Sequence, residues 1–378
     1  MKIKRLKPLI IFSIVFLVFG LLTACNIFVR LNTTRLPVPN PITTSYKITE
    51  VHASGGGAGA SGASFALTED GVLLAWGSFG GTLEGVEVEW PVYRPTKVMD
   101  DVIAVSPVMT LRMVITSDGA LWGLYGDVHE HRRSIQIKLL EDVVYVSAAN
   151  DRTMAITSDG TLWGWGSNRE GRLGDGTTED RNYPVKVMED VIAVSVSRDL
   201  TMAITSDNAL WVWGRNVVRL EDGTSKDSHT PIRAMDDVIA VFAYGVVITS
   251  DNVLRRWPDG ATIIEDVVTA SVDRRTFMAV TSDGTLWGWG RNETGALGDG
   301  TQRERREPIK IMENVVSVST SGFHTLAVTS DGNLWAWGEN SLGQLGIGTN
   351  RGQFETTRGI LETFWFSPIL VMEYIPEE

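Results

Sequence analysis

The chain has 378 residues, 43% of them hydrophobic and 21% charged, with one cysteine and a formal net charge of −12. That is enough apolar material for one large globular body, and a lone cysteine excludes a scaffold stapled by disulfides. The acidic balance argues against nucleic-acid binding through phosphate contacts, which needs a basic footprint.

Residues 1–24 stand apart from the rest. Lys2, Lys4, Arg5 and Lys7 precede an apolar run over 9–22, and Leu22-Thr23-Ala24-Cys25 follows. A basic start, an apolar middle and small residues before a cut describe a secretory signal. The tetrad resembles the lipobox of bacterial lipoproteins, which implies cleavage before Cys25 and a lipid on that residue. The body is then held at the cell membrane on its extracytoplasmic side. An uncleaved N-terminal anchor with an incidental cysteine is the alternative. Removing the segment takes away four positive charges and no negative ones, leaving 30 Lys and Arg against 46 Asp and Glu, about −16. Residues 25–47 are rich in Pro, Asn and Thr without apolar periodicity, so a flexible, lipidated tether is expected there.

Residues 48–378 form the domain, and they are repetitive. The phrase Thr157-Ser158-Asp159-Gly160-Thr161-Leu162-Trp163-Gly164-Trp165-Gly166 recurs, more or less degraded, from Thr68, Thr116, Thr205, Thr249, Thr281 and Thr329. A period of this size marks an array whose units bury their apolar faces against one another. Each copy is preceded by an apolar run such as 142–147 or 190–195, then a second such as Met154-Ala155-Ile156. After a polar loop it is followed by a run opening on Pro, as at 184–188 and 308–312. Runs of four to six β-branched or aromatic residues bounded by Gly, Asp, Asn and Pro read as strands. Ser-Asp-Gly reads as a hairpin turn, with Asn208 and Asn252 in place of Gly because both types tolerate positive φ. One repeat therefore supplies about four antiparallel strands, the size of a propeller blade. Period-2 alternation sends Trp163 and Trp165 to one face, and likewise Trp211, Trp213, Trp287, Trp289, Trp335 and Trp337. Recurring in register with the fold, these tryptophans are expected in the core between blades.

The combination Val-Ser, Thr-x-Ala-x-Thr-Ser-Asp-Gly-x-Leu-Trp-x-Trp-Gly, then Asn-x-x-Gly-x-Leu-Gly-x-Gly-Thr resembles the regulator of chromosome condensation repeat. Copies over 280–301 and 318–349 carry it best, the latter with Gly322-Phe323-His324-Thr325. The resemblance implies an all-β, seven-bladed β-propeller. It extends to secreted bacterial members of the superfamily, one of which inhibits β-lactamases by capping them with one propeller face. An export signal makes the exchange-factor role of eukaryotic members inapplicable.

Several local motifs invite sharper readings. Gly57-x-Gly59-x-x-Gly62 has the spacing of a dinucleotide loop, but a strand rather than a helix follows it, so a blade loop is expected. His129 and His131 can share a metal on an extended chain, yet no third ligand is identifiable. Gly174-Asp175-Gly176 and Gly298-Asp299-Gly300 lack the further carboxylates of a calcium loop. No metal or cofactor is expected. The fifth repeat is short: 249–257 runs almost directly into 263–266, predicting a blade with a notch at its rim. The run 368–372 ends the chain while Glu50-Val-His-Ala-Ser54 is the seventh copy of the first run, so a seam joining those two segments is expected.

No catalytic cysteine, Gly-x-Ser-x-Gly or phosphate loop is present, and His52, His229 and His324 lie in different repeats. The leading expectation is a non-catalytic, monomeric protein-interaction module. A carbohydrate or cell-wall binder using Trp90, Trp365 and Phe366 is the alternative, and an enzyme at the channel mouth a third. Partner contacts are expected on the loops between the first two strands of each repeat: Met109, Arg112, Asn150, Asp151, Arg152, Arg198, Asp199, Tyr244, Asp273, Arg274, Arg275, Phe323 and His324. The fold asks for no Arg, Tyr or Phe there, and these types anchor interfaces. Truncating Arg152, Arg274 or Phe323 is expected to weaken binding without lowering stability, whereas the loops around Arg172 and Arg303 are read as rim.

Overall fold

Each repeat folds into an antiparallel sheet of four strands, and seven such sheets follow one another along the chain. The computed structural model describes residues 33–35, 39–55, 62–78, 91–107, 111–126, 134–149, 151–219, 225–273, 276–350, 354–356 and 363–376. The signal, Cys25, Gly57 and Gly59, Trp90, Met109, His129, His131, Asn150, Arg274 and Arg275 lie outside the described residues, as does the side chain of Arg112.

The third blade shows the plan: Val143–Ala149, Arg152–Thr157, Leu162–Gly166 and Arg181–Met188, paired in that order. The first strand is the innermost. Its register slips in every blade just after the first residue, as between Val143 and Tyr145. The bulge turns two successive residues outward, which is why Ile103, Val144, Ile192, Ile239, Val268 and Val316 are exposed although their strands are apolar. A strict period-2 reading would have buried them.

Adjacent blades are clasped by a repeated set of hydrogen bonds. The inner-strand serine of one blade accepts the amide of the next: Ala148 N to Ser106 Oγ at 3.0 Å and Val196 N to Ser147 Oγ at 3.1 Å. The second tryptophan of each phrase enters the gap. Trp213 and Trp337 are fully buried, and their indoles donate to the carbonyls of Arg172 at 3.0 Å and Ala296 at 2.8 Å in the preceding blade. Glycine is required where those loops cross the indole: Gly174 has φ +82°, and a Cβ there would lie 2.6 Å from Trp213 Nε1. The first tryptophans are only half-buried, with Trp163 donating to Thr157 Oγ1 at 3.2 Å. The turns behave as expected: Gly160, Asn208 and Asn252 have φ of 80°, 60° and 61°.

The seam differs from the expectation. Glu50 to Ser54 belong to the innermost strand of the first blade, Ile48–Gly55, and 368–372 to the outermost strand of the seventh, Phe364–Tyr374, so the two share no sheet. The ring closes instead with the ordinary clasp. Trp76 Nε1 donates to Gln344 O at 2.8 Å, Ser64 Oγ to the same carbonyl at 2.7 Å, and Ala53 N to Ser319 Oγ at 2.9 Å. An apolar cluster including Ile48, Val51, Leu326, Leu345, Trp365 and Ile369 fills the gap. The chain start does contribute a strand: Ile42–Thr44 pairs in parallel with the outer edge of the seventh blade, and Thr33–Arg35 pairs with Phe354–Thr356. These pieces of the expected tether are therefore bound to the propeller, which protects an edge that would otherwise be open.

The fifth blade is complete but small, with outer strands Leu254–Arg256 and Ala261–Ile264 of three and four residues. Between it and the sixth blade lies an open recess of about 440 Å³ beside Trp287.

Candidate functional site

The loops joining first and second strands share one face with those joining third and fourth. In the third and fourth blades they enclose a recess of about 240 Å³ lined by Asp151, Arg152, Arg198 and Asp199 together with Ala149, Arg169, Glu170, Arg172 and Arg215.

Local backbone chemistry builds each wall. Ser197 N bonds Leu200 O at 3.0 Å, closing a tight turn that leaves Arg198 and Asp199 exposed at its tip. Asn168, fully buried, accepts from Leu173 N at 2.8 Å and donates to Asp175 Oδ1 at 2.9 Å, which fixes the short 3₁₀ turn Arg169–Gly171. The Asp175 carboxylate also accepts from Thr177 Oγ1 at 2.8 Å and from Arg181 Nε at 2.6 Å. Asp299 holds Thr301 and Arg305 in the same way. The Gly-Asp-Gly turns thus use their carboxylates within the fold. Among the described residues no group of three or more His, Cys, Asp or Glu is placed to hold a metal ion.

Arg152 is part of the recess but not of the surface. Its side chain is 0% exposed, and the guanidinium donates to the carbonyls of Ser197, Arg198 and Leu200 of the next blade. Burial, with the positive charge of Arg172 second, pushes its pKa down to about 10 against the pull of Asp151, Asp199 and Glu170. It stays charged at neutral pH. The expectation that truncating it leaves stability intact is therefore corrected. Arg172, read as rim, belongs to this same face: it is buried, and it donates through Nε to Arg169 O and through Nη1 to Arg198 O, both at 2.7 Å.

His324 is a second correction. It is completely buried where the seventh blade meets the first. Ser64 gives its proton to Gln344 O, so its Oγ accepts from His324 Nε2, 2.9 Å away. That assigns the tautomer and leaves Nδ1 to accept from Ser321 Oγ at 2.9 Å. Burial pushes the imidazole down to about 3. The serine–histidine–serine chain has the composition of a nucleophile with its base but no opening to substrate, and its work is structural.

The remaining candidates divide. Tyr244, exposed with φ 63°, donates from its hydroxyl to Asp273 Oδ1 at 2.9 Å, linking the loops of the fifth and sixth blades. Phe323 is half-buried, and its carbonyl accepts from Thr294 Oγ1 at 2.8 Å. Trp365, expected as an exposed aromatic, is 2% exposed and sits in the seam core, while Phe366 is half-buried and stacked on Phe364 with ring centroids 6.4 Å apart. Sequence reasoning missed Arg169 and Arg215. Arg169 lies on the third-to-fourth-strand loop of the third blade and Arg215 in the long third strand of the fourth, Leu210–Arg219; the usable signal was that Arg169 follows the Asn of the Asn-x-x-Gly-x-Leu-Gly motif.

Residues 159–204, 283–328 and 331–373 match the model of the regulator of chromosome condensation (RCC1) repeat, and 143–172 and 315–344 match a second model of that repeat. The fold is similar to that of human WBSCR16, at 20% identity over 89% of this chain and 84% of that one, with a TM-score of 0.48. It is similar also to yeast RCC1 (Prp20) bound to Kap60, at 15% identity over 86% and 75%, TM-score 0.48. A further structure, Prp20p from Saccharomyces cerevisiae, described with its binding properties to Gsp1p and histones, aligns at 16% identity over 86% and 77%, TM-score 0.46. No curated protein sequence matches the chain.

Proposed function

We propose that this chain, a seven-bladed propeller assembled from regulator of chromosome condensation repeats, is a non-catalytic module that binds a protein partner through the loop face described above. A lipid on Cys25 holds it at the extracytoplasmic side of a bacterial membrane, and it works as a monomer. The observation that carries the reading is the exposure on one face of Arg169, Arg198, Arg215 and Tyr244. The side chains of Arg169 and Arg198 take no part in the clasps between blades described above, Arg215 lies 3.7 Å from Asp199, and Tyr244 reaches Asp273 from an exposed position. Arg and Tyr supply much of the energy in protein interfaces. Function placed on loops over a rigid scaffold fits the same division of labour. The non-catalytic reading draws support from the burial of the Ser64–His324–Ser321 chain. The carbohydrate alternative loses Trp365 to the core.

One set of strains tests this. Cells expressing the wild-type chain, Cys25→Ala, and Arg198→Ala with Tyr244→Ala are labelled with fatty acid, and proteins captured from their surface are compared. Label is expected on the wild type and the double variant but not on Cys25→Ala, with capture reduced at least about fivefold in the double variant. Label persisting on Cys25→Ala would remove the anchor from the account, and full capture by a folded double variant would remove the face.

A further inference from the structure

The charge inside the recess identifies what it receives. Five arginines and three carboxylates line it, an excess of about two positive charges on a chain whose formal charge is −12. The ion pairs within it are loose: Arg172 to Glu170 is 3.3 Å, Arg215 to Asp199 is 3.7 Å, and Arg172 and Arg152 each lie 3.9 Å from Asp151. The structural pair Arg181–Asp175, by contrast, closes to 2.6 Å. Arg169 and Arg198 are exposed and make no ion pair among the described residues. Beneath them Arg152 Nε is buried with no acceptor among the described residues. The cationic groups there are therefore less than fully matched, while their backbone bonds hold Arg152 and Arg172 in fixed positions.

We propose that this recess binds carboxylate side chains presented by an acidic segment of the partner protein. The guanidinium fork fits a planar carboxylate with two parallel hydrogen bonds, and such charge-assisted bonds are the strong ones. A phosphate group concentrates about two negative charges on one centre beside Asp151, Glu170 and Asp199, whereas a pair of carboxylates spreads the same charge over two separate planar groups. An excess of two positive charges matches one or two carboxylates. The acidic character of the rest of the chain does not forbid this, because at physiological salt charges more than about 8 Å away are largely screened. Arg152 and Arg172 form the fixed floor, and Arg169 and Arg198 close over the ligand from opposite blades. The proposal rests on the protein-binding reading and adds the chemistry of the contact.

The test uses the intact chain and hexaglutamate peptide, with hexaglutamine peptide and inorganic phosphate as comparisons. Arg169→Gln with Arg198→Gln is set beside Arg303→Gln with Arg306→Gln, which removes the same charge from exposed positions on the sixth blade. Hexaglutamate is expected to bind in preference to both comparisons. Affinity should fall about tenfold or more in the recess variant and less than about twofold in the control. Equal loss in the two variants, absence of hexaglutamate binding by the wild type, or preference for phosphate each overturns the proposal. Surface capture that depends on Arg198 and Tyr244 without any such peptide binding would sink this inference alone. Loss of that dependence in capture would sink the protein-binding reading instead.

Discussion

Replacing His324 by alanine is expected to destabilise the ring by about 3 kcal/mol, and to do so by opening the seam. The imidazole is the middle of a buried chain between Ser321 and Ser64, with bonds of 2.9 Å on each side. Its removal leaves two buried hydroxyls short of a partner and a cavity where the ring stood, each effect worth about 1–3 kcal/mol. The same residue makes the protein acid-sensitive. Its folded pKa of about 3 lies below the ordinary value of 6.5. Between those values the unfolded chain binds the extra proton, so stability rises with pH there. The contribution is complete above pH 6.5 and is lost as pH falls from 6.5 towards 3, at about 1.4 kcal/mol per pH unit. Denaturant melts at pH 7.5 and 5.0 check this: the wild type should lose roughly 2 kcal/mol on acidification. His324→Gln, weaker at pH 7.5, should lose much less. Equal wild-type stability at both values would refute the assignment of a neutral, buried histidine.

Arg152→Ala should cost a similar amount, about 3 kcal/mol, at the interface between the third and fourth blades. The guanidinium supplies donors to three carbonyls of the loop that carries Arg198 and Asp199, those of Ser197, Arg198 and Leu200. Without it those acceptors lose charge-assisted bonds and the gap loses the aliphatic stem. Arg152→Met restores the stem alone and should recover only part of the loss. Relief of the burial cost and of the repulsion with Arg172 works in the opposite direction. Thermal melts of the three chains decide it. Arg152→Ala melting with the wild type would mean that the side chain is free for a partner after all.

Both corrections come from one position in the repeat. The architecture was legible because turns, tryptophans and glycines recur in register, and period-2 alternation then places Trp213 and Trp337 between blades. The loop face was legible as the part that varies. Arg152 and His324 were misread because each opens its second strand, where the side chain enters the inter-blade gap rather than solvent. The half-buried Leu200 and the buried Ala63 and Thr276 stand at the corresponding place in other blades, whereas Tyr244 there is exposed; in the third and seventh blades Arg152 and His324 fill the slot with hydrogen bonds. Arg169, Arg172 and Arg215 could not be joined to Arg198 from sequence, because only the stacking of two blades brings their loops together. The seam was misjudged for a related reason. The closing contacts, Trp76 on Gln344 and Ser64 on the same carbonyl, are the common clasp repeated once more, and a shared sheet is not required.

The claim that the loop face receives the partner is tested most directly by site-specific photo-crosslinking on intact cells. A photoreactive residue is placed singly at Arg198 and Tyr244 on that face, at Tyr183 on the outer strand of the third blade, and at Asp283 on the second-to-third-strand turn of the sixth blade, at the opposite end of the strands; all four are exposed. The account predicts one common crosslinked protein from Arg198 and Tyr244 and none from Tyr183 or Asp283. A partner captured from Tyr183 or Asp283, with Arg198 and Tyr244 silent, would contradict it.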